Sequence, residues 1–161
     1  MQVGHFRGFE ITMHDPGIAL ITFNQPERLN GMTHQMKRDL VETLIQAQMD
    51  DAVRVVVFTG SGRAFSAGDD ITGRPAGEGN VQALMPDIPR GHHNALGTYN
   101  GLRMLSQPVN VSIRNLDKLT IAALNGVAIQ TGLSLALACD FRIASSAARL
   151  GSATLRFGLL P

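Results

Sequence analysis

The feature that most constrains this chain is a strand-to-turn unit that occurs twice. The β-branched run from Val53 to Thr59 predicts a buried strand, and it leads into a turn with small residues on both sides of Gly68. A second predicted strand, Leu119–Leu124, leads through an Asn-Gly turn into an apolar helix that begins at Gly132. The N–H groups of such turns can point at an acceptor oxygen, so paired units predict a two-donor oxyanion hole.

The remaining pattern alternates strands with helices, which predicts βαβ units and an α/β fold. Thr33 is a candidate N-cap, and the proline at position 108 is expected to interrupt a helical segment. The predicted elements are a hairpin of Phe9–His14 and Ile18–Phe23, and helices over Thr33–Met49, His93–Leu105, Val109–Leu116 and Gly132–Cys139; a strand over Phe141–Ser145 follows. The segment Gly73–Gly91 is rich in glycine and proline, so we expect it to be mobile.

Composition narrows the functional class. A chain of 161 residues with 44% hydrophobic and 17% charged residues predicts one globular domain over residues 1–161. A net charge of +1, no tryptophan and one tyrosine argue against a nucleic-acid partner. The uncharged stretch Leu119–Cys139 is long enough to suggest a membrane span, but the polar and glycine residues at its centre favour a strand, a turn and a helix. The single Cys139 and the absence of a signal-peptide pattern predict a cytoplasmic protein.

Five segments together resemble the crotonase (enoyl-CoA hydratase/isomerase) superfamily, in order and in spacing. They are Phe23–Met32, Val56–Asp70, Ile121–Gly126, Leu135–Asp140 and Phe157–Pro161. The resemblance implies a crotonase-like spiral of ββα units, truncated before the C-terminal helical trimerisation region. It also implies a homotrimer or dimer of trimers. From its glycine and proline content and its lack of periodicity, the segment Gly73–Gly91 is expected to fold over the acyl chain when ligand binds. Because family members continue beyond Pro161, we expect either a truncated product or part of a longer chain.

The resemblance also assigns candidate catalytic residues. It places the two oxyanion donors at the backbone N–H groups of Asp69 and Thr131, where they would stabilise the enolate oxygen of an acyl-CoA thioester. The two glutamates of a hydratase fall on Ser134 and Thr154, whose hydroxyls do not act as general bases near neutral pH without a partner. Standard hydration is therefore not expected. The carboxylate of Asp69, or an acid beyond residue 161, is left as the alternative proton-transfer group.

Coenzyme A is expected as part of the substrate, with no separate cofactor and no metal. The resemblance places Arg28 near the CoA phosphates, although an ordinary solvated surface arginine is the alternative. It places Ala67, Gly68, Asp70 and Ile71 around the adenine. Asp70 is also interpreted as a turn anchor.

Two further features are interpreted as structural. Asp140 is expected to be a turn carboxylate, and the pair His92-His93 to be solvated. Two functions remain open: an enzyme that isomerises, decarboxylates or hydrolyses an acyl-CoA, and a catalytically silent acyl-CoA binder.

Overall fold

The computed structural model describes residues 1–72, 82–86 and 94–157. Nine strands and four α-helices lie in these ranges, with a π-helical turn between the second and third helices. The strands are β1 (Gly4–Phe6), β2 (Phe9–His14), β3 (Ile18–Phe23), β4 (Val55–Gly60), β5 (Ala64–Ser66), β6 (Leu119–Leu124), β7 (Val127–Ile129), β8 (Phe141–Ala144) and β9 (Arg149–Gly151). The helices are α1 (His34–Met49), α2 (Ala95–Gly101), the π-helical turn Leu102–Ser106, α3 (Gln107–Arg114) and α4 (Thr131–Ala138), and short 3₁₀ turns cover Pro26–Arg28 and Thr154–Phe157.

The strands form a large sheet and a small one. The large sheet has the order β1-β2-β3-β4-β6-β8, antiparallel from β1 to β3 and parallel from β3 onward. The small sheet has the order β5-β7-β9 and is parallel. Each strand of the small sheet follows a strand of the large one along the chain, so both strand-to-turn units pass from the large sheet into the small one.

Helix α1 shows how the sequence pattern builds the core. The Thr33 hydroxyl caps it by accepting a hydrogen bond from the Met36 N–H at 3.2 Å. Its apolar residues recur at helical spacing and are fully buried, as predicted for Met36, Leu40, Leu44 and Ala47. They join one core with side chains from the large sheet, among them Phe9, Ile11, Ile21, Phe23, Val56, Phe58 and Ala122.

Several predicted elements are confirmed with their boundaries. The hairpin of β2 and β3, the helix capped by Thr33 and the strand Leu119–Leu124 all lie where the sequence predicts them. Strand β4 begins two residues later than predicted and ends at Gly60, and α4 covers Thr131–Ala138 in place of Gly132–Cys139. The uncharged stretch Leu119–Cys139 is β6, β7 and α4. Within the described residues, no helix is long and apolar enough to cross a membrane.

The prediction that Pro108 interrupts the helical segment is wrong. Helix α2 runs through the π-helical turn into α3, and the Gln107 N–H donates to the Leu102 carbonyl five residues back. Pro108 therefore lies in the first turn of α3, where a missing N–H costs little. The wider π-helical turn ahead of it accommodates the proline without ending the helix.

The predicted mobile segment Gly73–Gly91 lies largely outside the described residues. Its described part, 82–86, is held in place by a buried ion pair between Arg7 and Asp39. The Arg7 guanidinium donates to the Met85 carbonyl at 2.7 Å, and the Met85 N–H donates to Asp39 at 3.0 Å. Residues 82–86 are thus bonded to β1, to the turn after it and to α1, since the Gln82 N–H also donates to the His5 carbonyl.

Candidate active site

The first turn is shaped by the buried side chain of Asn30. Its amide donates to the carbonyls of Ser61 and Ala64, at 2.9 and 2.7 Å. The hydroxyl of the buried Ser66 donates to the Asn30 carbonyl at 2.8 Å and accepts the Gly68 N–H at 3.2 Å. Because these bonds fix both ends of the turn, the residues that follow Gly68 have a defined direction.

A second set of backbone hydrogen bonds joins this turn to the segment before α1. The Ala67 N–H donates to the carbonyl of Leu29. Met32 makes two of these bonds: its N–H donates to the Gly68 carbonyl, and its carbonyl accepts the Asp70 N–H. Asp69 lies between these bonded residues, and its N–H donates no hydrogen bond to any residue that the structure describes. A rigidly held N–H of this kind is available to an external acceptor.

The second turn leads from β7 into α4 through Gln130. This residue has φ +58° and ψ −124°, a conformation that favours glycine. Its side chain accepts the Ala153 N–H at 2.8 Å, and its own N–H donates to Gly151 at 3.2 Å. Thr131 follows as the first residue of α4, where a backbone N–H has no partner inside the helix.

The two turns touch because both carry glycine at the point of contact. A Cβ atom on Gly132 would lie 2.5 Å from the Ser66 carbonyl oxygen. A Cβ atom on Gly68 would lie 2.6 Å from Cβ of Gln130. The Thr131 hydroxyl also donates to the Asp69 carboxylate across the contact. The structure therefore brings together Asp69 and Thr131, the two residues that the sequence proposes as donors.

A buried lysine completes this cluster, and sequence reasoning missed it. Lys37 of α1 is 1% exposed, and its ammonium lies 2.8 Å from Oδ1 of Asp69 and 2.8 Å from the hydroxyl of Ser106. Its position in the sequence could have indicated that it is buried, because Lys37 lies on the apolar face of α1 beside Met36 and Leu40. A lysine on a buried face needs a counter-charge. The pKa of the nearby His34 lies below its ordinary value, because desolvation and then the charge of Lys37 lower it against an opposing effect of Asp69.

The candidate CoA-binding residues are partly engaged with one another. Arg28 donates to Oδ2 of Asp70 at 2.9 Å and its side chain is 18% exposed, so the alternative of a solvated surface arginine is wrong. Asp70 accepts both the N–H and the hydroxyl of Thr72, which confirms its interpretation as a turn anchor. Burial raises the pKa of Asp70, but the bonds from Thr72 and the Arg28 charge outweigh it and leave the pKa below its ordinary value. Ala67 is half-buried beside this pair, and Ile71 is exposed.

The two positions that correspond to the hydratase glutamates carry no acid. Ser134 is exposed on α4, and its N–H donates to the Gln130 carbonyl. The Thr154 hydroxyl shares a hydrogen bond of 2.9 Å with Ser152. Among the described residues, no hydrogen bond joins Ser134 to Thr154.

The remaining candidates have structural surroundings or lie outside the description. Asp140 accepts the N–H and hydroxyl of Thr120, both at 2.8 Å, which confirms a turn carboxylate and lowers its pKa. Burial raises the pKa of the Cys139 thiol to about 12. His92 and His93 lie outside the described residues, and the part of the chain that is described holds no cluster of three potential metal ligands.

Comparisons with known proteins show the family to which this chain belongs. The enoyl-CoA hydratase/isomerase family model matches residues 14–161. The chain belongs to this family. Its relatives include probable enoyl-CoA hydratase EchA12 of Mycobacterium tuberculosis, 42% identical over 145 residues, which cover 89% of this chain and 47% of that protein. They also include 1,2-epoxyphenylacetyl-CoA isomerase of Escherichia coli, 35% identical over 153 residues, which cover 95% of this chain and 53% of that protein.

Solved structures of the family share the fold. The enoyl-CoA hydratase of Bacillus anthracis superimposes with a TM-score of 0.79 at 28% identity, and the match covers 96% of this chain and 54% of that one. The α/β crotonase fold predicted from the sequence is therefore confirmed. The chain spans about half the length of the curated relatives that it matches.

Proposed function

We propose that this protein binds an acyl-CoA thioester and stabilises its enolate with the backbone N–H groups of Asp69 and Thr131. The observation that carries the proposal is the Asp69 N–H, held between bonded neighbours and donating to no described residue, beside the first N–H of α4. Two preorganised donors at a developing oxyanion contribute several kcal/mol to catalysis. The α4 N-terminus adds a favourable partial charge. Membership in the enoyl-CoA hydratase/isomerase family supports the substrate class.

The reaction that we propose is one other than standard hydration: isomerisation or decarboxylation through an enolate, or hydrolysis through a tetrahedral intermediate whose oxyanion the same two donors would hold. Ser134 and Thr154 carry hydroxyls where hydratases are expected to carry glutamates, and Thr154 is hydrogen-bonded to Ser152. General acid–base catalysis by one placed group contributes ~10²–10⁴-fold. The loss of both acids therefore predicts hydration of crotonyl-CoA at least ~10³-fold slower than by a hydratase with both glutamates.

The hydration test compares wild type with the double variant Ser134→Glu, Thr154→Glu in the full natural chain. We expect faster loss of the ultraviolet enoyl absorbance of crotonyl-CoA with the double variant, because the proposed oxyanion donors are unchanged in it. A matched Ser134→Gln, Thr154→Gln variant has similar side-chain size without the acids. Ordinary hydratase rates in the wild type would contradict the proposal.

A catalytically silent acyl-CoA binder is the second candidate function. It is favoured by the same missing acids at Ser134 and Thr154. Incubation with malonyl-, 3-enoyl- and β-ketoacyl-CoAs, followed by mass spectrometry, separates the two. Turnover of any of these supports the enzyme, whereas binding of the panel without turnover supports the silent protein. Either function requires recognition of CoA, for which we propose Arg28, Ala67, Gly68, Asp70 and Ile71. The homotrimer or dimer of trimers stays a prediction.

A further inference from the structure

The two carboxylate oxygens of Asp69 have different surroundings. Oδ1 contacts the Lys37 ammonium at 2.8 Å and accepts the Thr131 hydroxyl. Oδ2 accepts no hydrogen bond from the residues in the described ranges, and the side chain is 40% exposed. One oxygen is therefore held, while the lone pairs of the other are not engaged by any donor in the described ranges.

The group that holds Oδ1 is itself fixed by burial. Lys37 lies inside the core-facing side of α1, and its ammonium also donates to Ser106 in the π-helical turn. A buried ammonium retains its charge at a low cost only when a carboxylate faces it closely. His34 is a further titratable group beside this pair, and its lowered pKa favours the neutral ring near neutral pH. The contact with Lys37 thus fixes the orientation of the Asp69 carboxylate.

We propose that the Asp69 carboxylate is the group that transfers the α-proton of the bound acyl-CoA. Lys37 and the Thr131 hydroxyl act as its positioning residues. This inference rests on the proposed function, because it places the base on the same residue whose N–H is a proposed oxyanion donor. It supplies the acid–base group that Ser134 and Thr154 lack.

The proposed step balances without any further reagent. The C–H bond at the α-carbon breaks, and its proton moves to Oδ2 of Asp69. The electron pair that it leaves forms the carbon–carbon double bond of the enolate, and the thioester oxygen takes the negative charge between the two N–H donors. Return of a proton from Oδ2 regenerates the thioester, and the exposed carboxyl exchanges its proton with solvent.

Solvent exchange therefore gives a direct test. The full natural chain is incubated with butyryl-CoA in D₂O, and deuterium at the α-carbon is followed by mass spectrometry. Binding of butyryl-CoA is measured separately by calorimetry. We expect Asp69→Asn to exchange at least ~10²-fold more slowly with an unchanged dissociation constant, because the amide keeps the shape and the backbone N–H but is not a base.

Two further variants keep the test decisive if Asp69→Asn fails to fold. Asp69→Glu keeps the charge opposite Lys37 but moves the reactive oxygen by one methylene, and we expect slower exchange with unchanged binding. The exposed Asp51→Asn is the matched control, and we expect wild-type exchange. Thermal unfolding of each variant establishes which of them are folded.

The positioning role of Lys37 is tested by its own pair of variants. Lys37→Met should lower the exchange rate constant and leave butyryl-CoA affinity unchanged, whereas Lys37→Arg should restore most of the rate by keeping a charged donor. A loss of affinity with an unchanged rate constant would overturn the positioning role.

The remaining outcomes separate the two proposals. Wild-type exchange in folded Asp69→Asn or Asp69→Glu would overturn the inference and leave the proposed function standing. Absence of both binding and exchange in the wild type would overturn the proposed function and this inference with it.

Discussion

Replacing Gly132 by alanine tests whether the two turns must touch for the oxyanion hole to form. Gly132 lies in the first turn of α4, and an alanine there would ordinarily stabilise a helix by about 1 kcal/mol. Here the new Cβ would lie 2.5 Å from the Ser66 carbonyl oxygen and 2.8 Å from the Ser66 Cβ. Ser66 is fully buried and cannot move aside alone, so the turns have to separate. Overpacking of this kind costs about 1–3 kcal/mol, which exceeds the helical gain.

We therefore expect Gly132→Ala to lower the free energy of unfolding by up to roughly 2 kcal/mol in urea denaturation. The separated donors should also slow α-proton exchange in butyryl-CoA by on the order of 10- to 10³-fold, up to the cost of losing one donor. Gly151→Ala is the matched control, because its Cβ would meet nothing within 4 Å. A Gly132→Ala protein that is more stable than wild type and exchanges normally would refute this account of the site.

Three further predictions concern single residues around the site and core. The Gln130→Gly variant should be more stable than Gln130→Ala by about 1 kcal/mol in denaturant titrations, because alanine is strained at the positive φ of this residue and glycine is not. Both variants lose the side-chain bond to the Ala153 N–H, so that loss cancels in the comparison. The reverse order of stability would contradict backbone strain at this position. Cys139 should resist iodoacetamide in the native protein and react on unfolding, as mapped by mass spectrometry, since its thiol is 2% exposed with its pKa raised to about 12. The lowered pKa of Asp70 stabilises the fold above about pH 4 and the effect is lost as pH falls through the folded-state value, so Asp70→Asn should approach wild-type stability in acid. A constant difference between the two proteins from pH 7 to pH 3 would contradict this role of Asp70.

The regular elements were predictable because local pattern and burial agree in them. Residues close together in the sequence are enough to predict three of these features. They are the alternating pattern of β2 and β3, the turn between those strands, and the capped apolar face of α1. The helix around Pro108 was not predictable in the same way. A π-helical turn placed ahead of a proline depends on packing that a local pattern does not contain.

The same division applies to the candidate site. The sequence indicated that Gly68 and Gly132 lie in turns, and the resemblance to the family indicated which two N–H groups are the candidate donors. The ion pair of Arg28 with Asp70 spans 42 residues of the chain, and the contact of Lys37 with Asp69 spans 32. Such partners are chosen by how the turns, α1 and the π-helical turn pack.

The sequence by itself determined the family, the alternating strands and helices, and the absence of acids at Ser134 and Thr154. Each of these depends on residue identity and spacing along the chain. Only the tertiary structure decided that a buried Lys37 faces Asp69 and that the Thr131 hydroxyl reaches the same carboxylate. The physical reason is that desolvation makes an unpaired charge costly wherever it is buried, and burial is settled by the packing of distant segments.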